Sequence, residues 1–291
     1  MIHNRRQFIK LSGITGIGIA LMNQVFAGLQ TGISGMKFGL VTYQWGKDWD
    51  LPTLIKNCEA AGYEGIELRT EHAHGVETSL SPSERAEVRK RFADSSVVNV
   101  GYGSNWEYHS PDPVELQRNI VETKEYIKLC YDIGATGIKV KPNTLPAEVP
   151  REKTIAQIAD SLNKVGRYAK DYNQLIRVEV HGRYTQELPN MKAIFDQVTE
   201  DNVKICWNCN PTDLNPPGIR HNFDLVKKWF GDTVHVHPLN KGDYPYNEFL
   251  ILLKGINFNG WLLLEDGSVP TDIVASMKEQ LVLYKELIAE S

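Results

Sequence analysis

Residues 177–181 read Arg177-Val178-Glu179-Val180-His181, a short run of strand-forming residues that carries a carboxylate and an imidazole two positions apart. Because side chains alternate across a strand, Glu179 and His181 are predicted to point to the same face. An acid and a histidine at a strand end contribute little to packing and are suited to metal binding or proton transfer. Three later stretches carry polar side chains in the same way: Trp207-Asn208-Cys209-Asn210, His235-Val236-His237 and Leu264-Glu265.

Strands and helices are predicted to alternate along most of the chain. Apolar runs rich in strand-forming residues are separated by stretches with helical spacing, several of them bounded by glycine or proline. The predicted strands are residues 36–43, 65–69, 97–101, 136–141, 175–180, 203–207, 233–237 and 261–265. The predicted helices are residues 51–61, 81–92, 114–134, 152–172, 188–198, 223–230, 246–255 and 271–290.

This alternation predicts parallel strands joined by right-handed crossovers. Eight strand-helix units over residues 36–291 match a (β/α)₈ TIM barrel, whose typical length is about 250 residues. A doubly wound open sheet would carry a glycine-rich nucleotide loop after its first strand, and Tyr43-Gln44-Trp45-Gly46 is not such a loop. We therefore predict an α/β protein with a TIM barrel over residues 36–291.

The N-terminal residues have the pattern of an export signal. A basic segment at residues 4–10 precedes an apolar, glycine-rich run that ends in Val25-Phe26-Ala27, a small-residue cleavage pattern. The pair Arg5-Arg6 resembles a twin-arginine signal. We predict a signal peptide over residues 1–27, a flexible lead-in over residues 28–35, and a periplasmic protein without a stable membrane span after cleavage. The alternative, an amphipathic first helix, is weakened by the glycines of the apolar run.

Composition and cysteine spacing exclude several classes of protein. A net charge of -4 gives no basic surface for nucleic acid. The pair Cys206 and Cys209 has the CxxC spacing of a redox or zinc motif. A strand over residues 203–208 would place these two side chains on opposite faces, and the second pair of a four-cysteine zinc site is missing. We interpret these cysteines as packing residues.

The barrel prediction changes the meaning of the polar residues at strand ends. Taken singly, Glu179 would be a rim salt-bridge partner and His235 a hydrogen-bonded core histidine. Active sites of TIM barrels, however, lie at the carboxyl ends of the strands. Six of the eight histidines fall at or just beyond these ends: His72, His74, His109, His181, His235 and His237. Oxygen and imidazole ligands from four successive strands favour one bound Mn²⁺, Mg²⁺, Co²⁺ or Zn²⁺.

At this point the chain resembles the xylose isomerase-like TIM-barrel superfamily of sugar phosphate isomerases and epimerases. The resemblance covers the chain from about Lys37 onward and depends on an ordered set of short motifs. These motifs are Gly62-Tyr63-Glu64-Gly65-Ile66-Glu67, Glu179-Val180-His181, Trp207-Asn208-Cys209-Asn210, His235-Val236-His237 and Gly260-Trp261-Leu262-Leu263-Leu264-Glu265. The resemblance implies a four-residue site for one divalent ion, Mn²⁺ in first place, formed by Glu179, Asn208, His235 and Glu265.

Two positions depart from the family pattern. Strand six usually offers an aspartate, and Asn208 stands there; a neutral amide oxygen should weaken the site and alter its metal preference. Strand seven usually continues to an aspartate, and Pro238 stands in its place. His237 shares a strand face with His235 and is the alternative ligand, although the spacing favours His235.

The resemblance implies a metal-dependent sugar isomerase or epimerase. In such a site a divalent ion stabilises an enediolate, and Glu179 and Glu265 would move protons on opposite faces of the substrate. His181 and Lys141 complete the predicted catalytic set, and Lys141 has the alternative role of a rim salt bridge. The histidines predicted to contact the carbohydrate substrate are His72, His74, His109 and His237.

Other functions remain open at this level. The predicted export favours an unphosphorylated sugar, a glycoside or an oxidised sugar over a sugar phosphate. Elimination or hydrolysis of a 3-keto-glycoside shares the enediolate step and is the alternative enzyme. A non-catalytic sugar-binding barrel is a third possibility, because the neutral Asn208 makes the metal site less negative and so weakens metal binding. A DNA endonuclease of the same superfamily would need more histidine and aspartate ligands and a basic surface.

Overall fold

Eight parallel strands close into a barrel in the computed structural model, which describes residues 35–291. The barrel strands are β1 Lys37–Val41, β2 Gly65–Arg69, β3 Val98–Glu107, β4 Gly137–Lys141, β5 Leu175–Glu179, β6 Val203–Trp207, β7 Phe230–Val236 and β8 Trp261–Leu264. Each strand pairs with its neighbours in sequence, and β1 pairs with β8 to close the sheet. The predicted TIM barrel is confirmed. The predicted signal peptide lies outside the described residues.

Helices follow the strands and cover the outside of the barrel. The helices are α1 Leu51–Ala61, α2 Pro82–Ala93, α3 Pro113–Ile133, α4 Arg151–Lys170, α5 Leu188–Phe195, α6 Ile219–Val226, α7 Tyr246–Gly255 and α8 Ile273–Glu290. Local sequence sets several of their ends. Ser81 and Glu84 form a capping box at the start of α2, and α1 ends at Gly62, whose φ of 79° is left-handed. No helix within residues 35–291 is long and apolar enough to cross a bilayer.

The largest differences from the predicted boundaries lie at the end of β3 and around α6. Strand β3 continues to Glu107, where a loop had been predicted, because Glu107 still pairs with Lys141 of β4 after a register shift. Helix α6 begins four residues before the predicted start, and Phe230 belongs to β7 rather than to a helix. The cause is that Ile219 and Phe223 form one buried helical stripe. The cysteines of the described chain are buried free thiols, as the packing interpretation expected.

A buried arginine fills the barrel one layer below Glu179. Arg177 is fully excluded from solvent, and its Nε and Nη2 donate to the two carboxylate oxygens of Asp232 at 2.8 and 2.7 Å. Its Nη1 donates to the Val100 carbonyl at 2.9 Å. A Cβ at Gly101 would overlap with this guanidinium, so β3 needs a glycine there. The charged interior thus begins beneath the carboxyl end of the barrel.

We expect Asp232→Asn to lower the free energy of unfolding by about 2 kcal/mol, because it leaves a buried guanidinium without its counter-charge. The loss should stay below that of a fully buried pair, since the Asp232 side chain keeps 35% of its exposure. Urea unfolding measures the change. Asp224→Asn, which alters an exposed pair with Lys227, is the matched control. An equal effect of the two substitutions would contradict a supporting role for the interior pair.

Candidate active site

A polar cavity of about 460 Å³ opens at the carboxyl ends of the barrel strands. This volume lies in the usual range for small-molecule sites. Six of the residues predicted from the sequence line it: Lys141, Glu179, His181, Asn208, His237 and Glu265. The barrel therefore brings together side chains that are far apart along the chain.

Glu179 ends β5 and is held between a cation and an imidazole. Its Oε2 lies 2.7 Å from the ammonium of Lys139, and its Oε1 lies 3.6 Å from Nδ1 of His235. Burial raises the pKa of Glu179, but Lys139 and His235 outweigh burial and hold the pKa well below its ordinary value. Glu179 is therefore ionised at neutral pH although its side chain is buried.

Glu265 follows β8 and has the same arrangement on the other side of His235. Its Oε1 accepts a hydrogen bond from Nη1 of Arg69 at 2.7 Å, and its Oε2 lies 3.5 Å from Nδ1 of His235. Burial raises the pKa of Glu265, but the neighbouring imidazole of His235 lowers it to about 2. Each carboxylate thus has an outer oxygen on a fixed cation and an inner oxygen directed at His235.

His235 lies in β7 and is oriented by a third carboxylate. Its Nε2 is 3.1 Å from Oε1 of Glu67, which lies on β2. Nδ1 finds no hydrogen-bond partner among the described residues. Burial lowers the pKa of the imidazole, but the Cys206 thiol and Glu67 outweigh burial and raise it well above its usual value. A carboxylate behind the ring is the common support of a metal-binding histidine.

Asn208 supplies a fourth group to the cavity. It is 5% exposed, and its Nδ2 donates to Oδ1 of Asn210 at 3.4 Å. Asn210 is fixed in turn by its donation to the Val180 carbonyl at 2.6 Å. These contacts leave Asn208 Oδ1 buried and without a hydrogen-bond partner in residues 35–291. A buried carbonyl oxygen without a partner is costly, and a cation would satisfy it.

Three of these groups lie close enough together that they could hold one divalent ion. One ligand atom each from Glu179, His235 and Glu265 lies within 4.8 Å of the others. A cation would use Asn208 Oδ1, the inner carboxylate oxygens and His235 Nδ1, and that nitrogen would have to give up its proton to bind the ion. A mixture of carboxylate, imidazole and amide ligands suits Mn²⁺, Mg²⁺, Co²⁺ or Zn²⁺.

Two predicted histidines lie in the cavity wall without belonging to the ligand group. The Nδ1 of His181 lies 3.1 Å from Oδ1 of Asn143. Asn143 belongs to a short parallel pairing of residues 143–144 with residues 182–183, which begins directly after His181. The Nδ1 of His237 is 3.4 Å from the Glu265 carbonyl oxygen. His235, with its carboxylate neighbours, is therefore better placed than His237 to be the histidine ligand.

Three predicted substrate contacts do not line this cavity. His74 is buried, its Nε2 lies 2.9 Å from the Arg69 carbonyl oxygen, and its Nδ1 accepts from the Val76 amide at 3.0 Å. Both of its nitrogens therefore serve to fix the loop after β2. His72 packs beside it, with ring centroids 6.0 Å apart. His109 has its Nδ1 3.6 Å from Glu107. A place just beyond the carboxyl end of a strand is therefore not sufficient to put a histidine in the cavity.

Three charged residues of the site were not assigned from the sequence: Glu67, Arg69 and Lys139. Alternation along β2 places the first two on one face, and alternation along β4 places Lys139 on the same face as Lys141. The alternation of side chains along each strand was therefore the sequence signal that could have identified these three residues. Their partners were not predictable because they lie on other strands.

Several solved structures are similar to this chain. The apo 3-keto-D-glucoside 4-epimerase YcjR from E. coli has a TM-score of 0.70 and 12% identity, with 86% of this chain and 99% of that chain covered. A D-psicose 3-epimerase crystallised with D-fructose gives 0.72 and 17%, covering 88% and 100%. The IolI protein with a bound zinc atom gives 0.75 and 16%, covering 88% and 99%. At such identities the likeness shows a common fold.

None of the curated protein sequences matches the chain. The family model for the xylose isomerase-like TIM barrel matches residues 55–286. Because that match spans most of the chain, the protein belongs to the family of xylose isomerase-like TIM barrels.

Proposed function

We propose that this protein is a metal-dependent isomerase or epimerase of an unphosphorylated sugar or sugar derivative. The observation that carries the proposal is the pair of ionised carboxylates, Glu179 and Glu265, whose inner oxygens lie 3.6 and 3.5 Å from the same nitrogen of His235. The sugar epimerases among the structural neighbours support the reaction class. The export signal predicted over residues 1–27 favours a periplasmic, unphosphorylated substrate.

The residues that would hold the ion are Glu179, Asn208, His235 and Glu265. A bound divalent cation would supply electrostatic stabilisation of negative charge on the oxygens of a hydroxyketone, which makes the adjacent C–H acidic. Mn²⁺ is our first choice because three charged or imidazole ligands and one neutral oxygen form a site of intermediate hardness. The zinc named for IolI supports an ion of this class.

Proton transfer falls to the two carboxylates. Lys139 contacts one oxygen of Glu179 and Arg69 contacts one oxygen of Glu265, each at 2.7 Å, and these contacts fix the orientation of the two carboxylates at the cavity. One carboxylate would take the proton next to the carbonyl and the other would return a proton from the opposite face, which is the requirement for epimerisation. His181 and His237, both in the cavity wall, would orient hydroxyl groups.

A 3-keto-glycoside lyase or hydrolase is the second candidate. It is favoured by the similarity to a 3-keto-D-glucoside 4-epimerase and needs the same proton abstraction next to a carbonyl. The two reactions differ in product, since elimination releases the aglycone and epimerisation keeps it. Product NMR therefore separates them.

We expect deuterium to enter next to the carbonyl when free and 3-keto sugars are incubated with the protein and Mn²⁺ in D₂O. Glu179→Gln should slow this exchange by about 10²-fold or more, because the amide cannot accept the proton. Product NMR measures the exchange, and circular dichroism checks the fold. Glu286→Gln, on the exposed face of α8, is the matched control. Unchanged exchange in Glu179→Gln would remove Glu179 from the mechanism.

The proposed metal site is tested by the metal content of the protein and by its affinity for Mn²⁺. We expect about one divalent ion per chain, and Asn208→Asp should tighten Mn²⁺ binding by about tenfold, because it replaces a neutral ligand with a charged one. Calorimetric titration measures the affinity, and Asn257→Asp at the exposed surface is the control. Less than about 0.2 equivalents of any divalent ion, with no response to Asn208→Asp, would overturn the metalloenzyme proposal.

A further inference from the structure

A second cavity, of about 620 Å³, lies at the carboxyl end of the barrel. Two loops form it, the loop that leads from β4 to α4 and the loop that leads from β5 to α5. The described residues that line it fall within residues 145–151 and 184–190, apart from the proposed metal ligands. Its volume is in the usual range for a small-molecule site.

The second cavity adjoins the cavity of the proposed metal ligands, here called the catalytic cavity. Gln186 lines the catalytic cavity, and the next residue, Glu187, lines the second one. Consecutive Cα atoms are about 3.8 Å apart, so the loop after β5 is a wall that the two cavities share. The pairing of residues 143–144 with residues 182–183 ties this loop to the loop after β4. A substituent on a sugar in the catalytic cavity therefore has only this narrow wall to cross.

One side of the second cavity presents an aromatic ring. The Tyr184 side chain keeps 42% of its exposure. Arg183 lies over the ring, 5.0 Å from its centroid, and its Nη2 donates to the Tyr184 hydroxyl at 3.0 Å. An exposed ring held in this way is suited to packing against the face of another ring. The loop after β4 adds apolar surface from Leu145, Pro146, Ala147, Val149 and Pro150.

A buried amide supplies a polar contact. Asn190, in α5, lines the second cavity and is 2% exposed. Its Nδ2 donates to the Tyr184 carbonyl at 2.8 Å and to Oε2 of Glu187 at 3.3 Å. Its Oδ1 has no hydrogen-bond partner within residues 35–291. A buried amide oxygen without a donor is costly, and a hydroxyl group of a ligand would satisfy it.

The charged residues of the second cavity favour a neutral ligand. Glu148, Glu187 and Arg151 lie in its wall, so the lining carries no excess of positive charge. Carboxylate oxygens accept hydrogen bonds from hydroxyl groups. The cavity therefore combines surfaces for the face of a ring with acceptors for hydroxyl groups at the edge of that ring.

We propose that the second cavity binds a hydroxylated ring that a glycosidic bond joins to the reacting sugar. The inference rests on the proposed function and narrows its substrate class to a glycoside, either a disaccharide or a phenolic glycoside. In this assignment the reacting sugar lies at Glu179 and Glu265. Tyr184 packs against the attached ring, and Oδ1 of Asn190 accepts from one of its hydroxyl groups.

The test compares small and extended glycosides on the full-length protein with Mn²⁺ added, by calorimetry. Methyl β-D-glucoside, cellobiose and 4-hydroxyphenyl β-D-glucoside are the β-linked probes, and methyl α-D-glucoside and maltose are the α-linked pair. At least one extended glycoside should bind about tenfold more tightly than the methyl glucoside of the same anomer. A preference for cellobiose or maltose assigns a sugar ring to the second cavity, and a preference for the 4-hydroxyphenyl glucoside assigns a phenol.

Variants decide whether the second cavity is responsible. Tyr184→Ala should lower the affinity for the preferred glycoside about tenfold and leave methyl glucoside binding unchanged. Ala147→Trp, which fills the cavity from an exposed position, should have the same effect. Tyr131→Ala, which removes an exposed tyrosine of α3, is the matched control and should change neither affinity.

Four results would overturn the proposal. The first is equal affinity for the methyl and extended glycosides of both anomers, and the second is no binding of any probe at tens of millimolar. The third is an equal loss for methyl glucoside in Tyr184→Ala. The fourth is a preference that survives both Tyr184→Ala and Ala147→Trp, since the attached ring would then lie elsewhere.

The outcome is separable from that of the proposed function. Deuterium exchange in free and 3-keto sugars without a preference for extended glycosides would leave the isomerase proposal standing and remove the second site. A preference that Tyr184→Ala abolishes, without exchange in any sugar, would do the reverse.

Discussion

The contact between Glu67 and His235 crosses the barrel interior from β2 to β7, and the geometry of the site depends on it. Both side chains are fully buried, and Nε2 of His235 lies 3.1 Å from the carboxylate. This contact fixes the ring plane and directs Nδ1 toward Glu179 and Glu265. Without it the inner oxygens of the two glutamates would face a ring of undefined orientation.

Charge balance is the second constraint on the interior. Carboxylates cannot be withdrawn from water unless cations or hydrogen-bond donors accompany them. Here Lys139 accompanies Glu179, Arg69 accompanies Glu265, and Arg177 with Asp232 forms a further pair one layer below. Such pairs add little net stability compared with an apolar core of the same shape. Their effect is to hold functional groups ionised and in position.

The position of each candidate ligand follows from strand register, and much of it was visible in the sequence. The period-two pattern of residues 175–180 and 233–237 predicted strands that carry Glu179 and His235 near their carboxyl ends, and those strands form as β5 and β7. The extent of β3 was not predicted, because its last residues pair with β4 after a register shift. His74 follows the end of a strand, as the histidines of the cavity do. Backbone groups of its own loop nevertheless occupy both of its nitrogens.

By itself the sequence determined the order of strands and helices, and hence the barrel, because the periods of 2 and 3.6 and the helix caps are local properties. It also determined that Glu179, Asn208, His235 and Glu265 would stand at neighbouring strand ends. Only the tertiary structure decided which oxygen of each carboxylate meets a cation and that Glu67 supports His235. It also decided that Lys141 and Arg69 both contact the side-chain amide oxygen of Asn105. These partners lie on different strands, so no local pattern relates them, and barrel closure alone sets the distances between them.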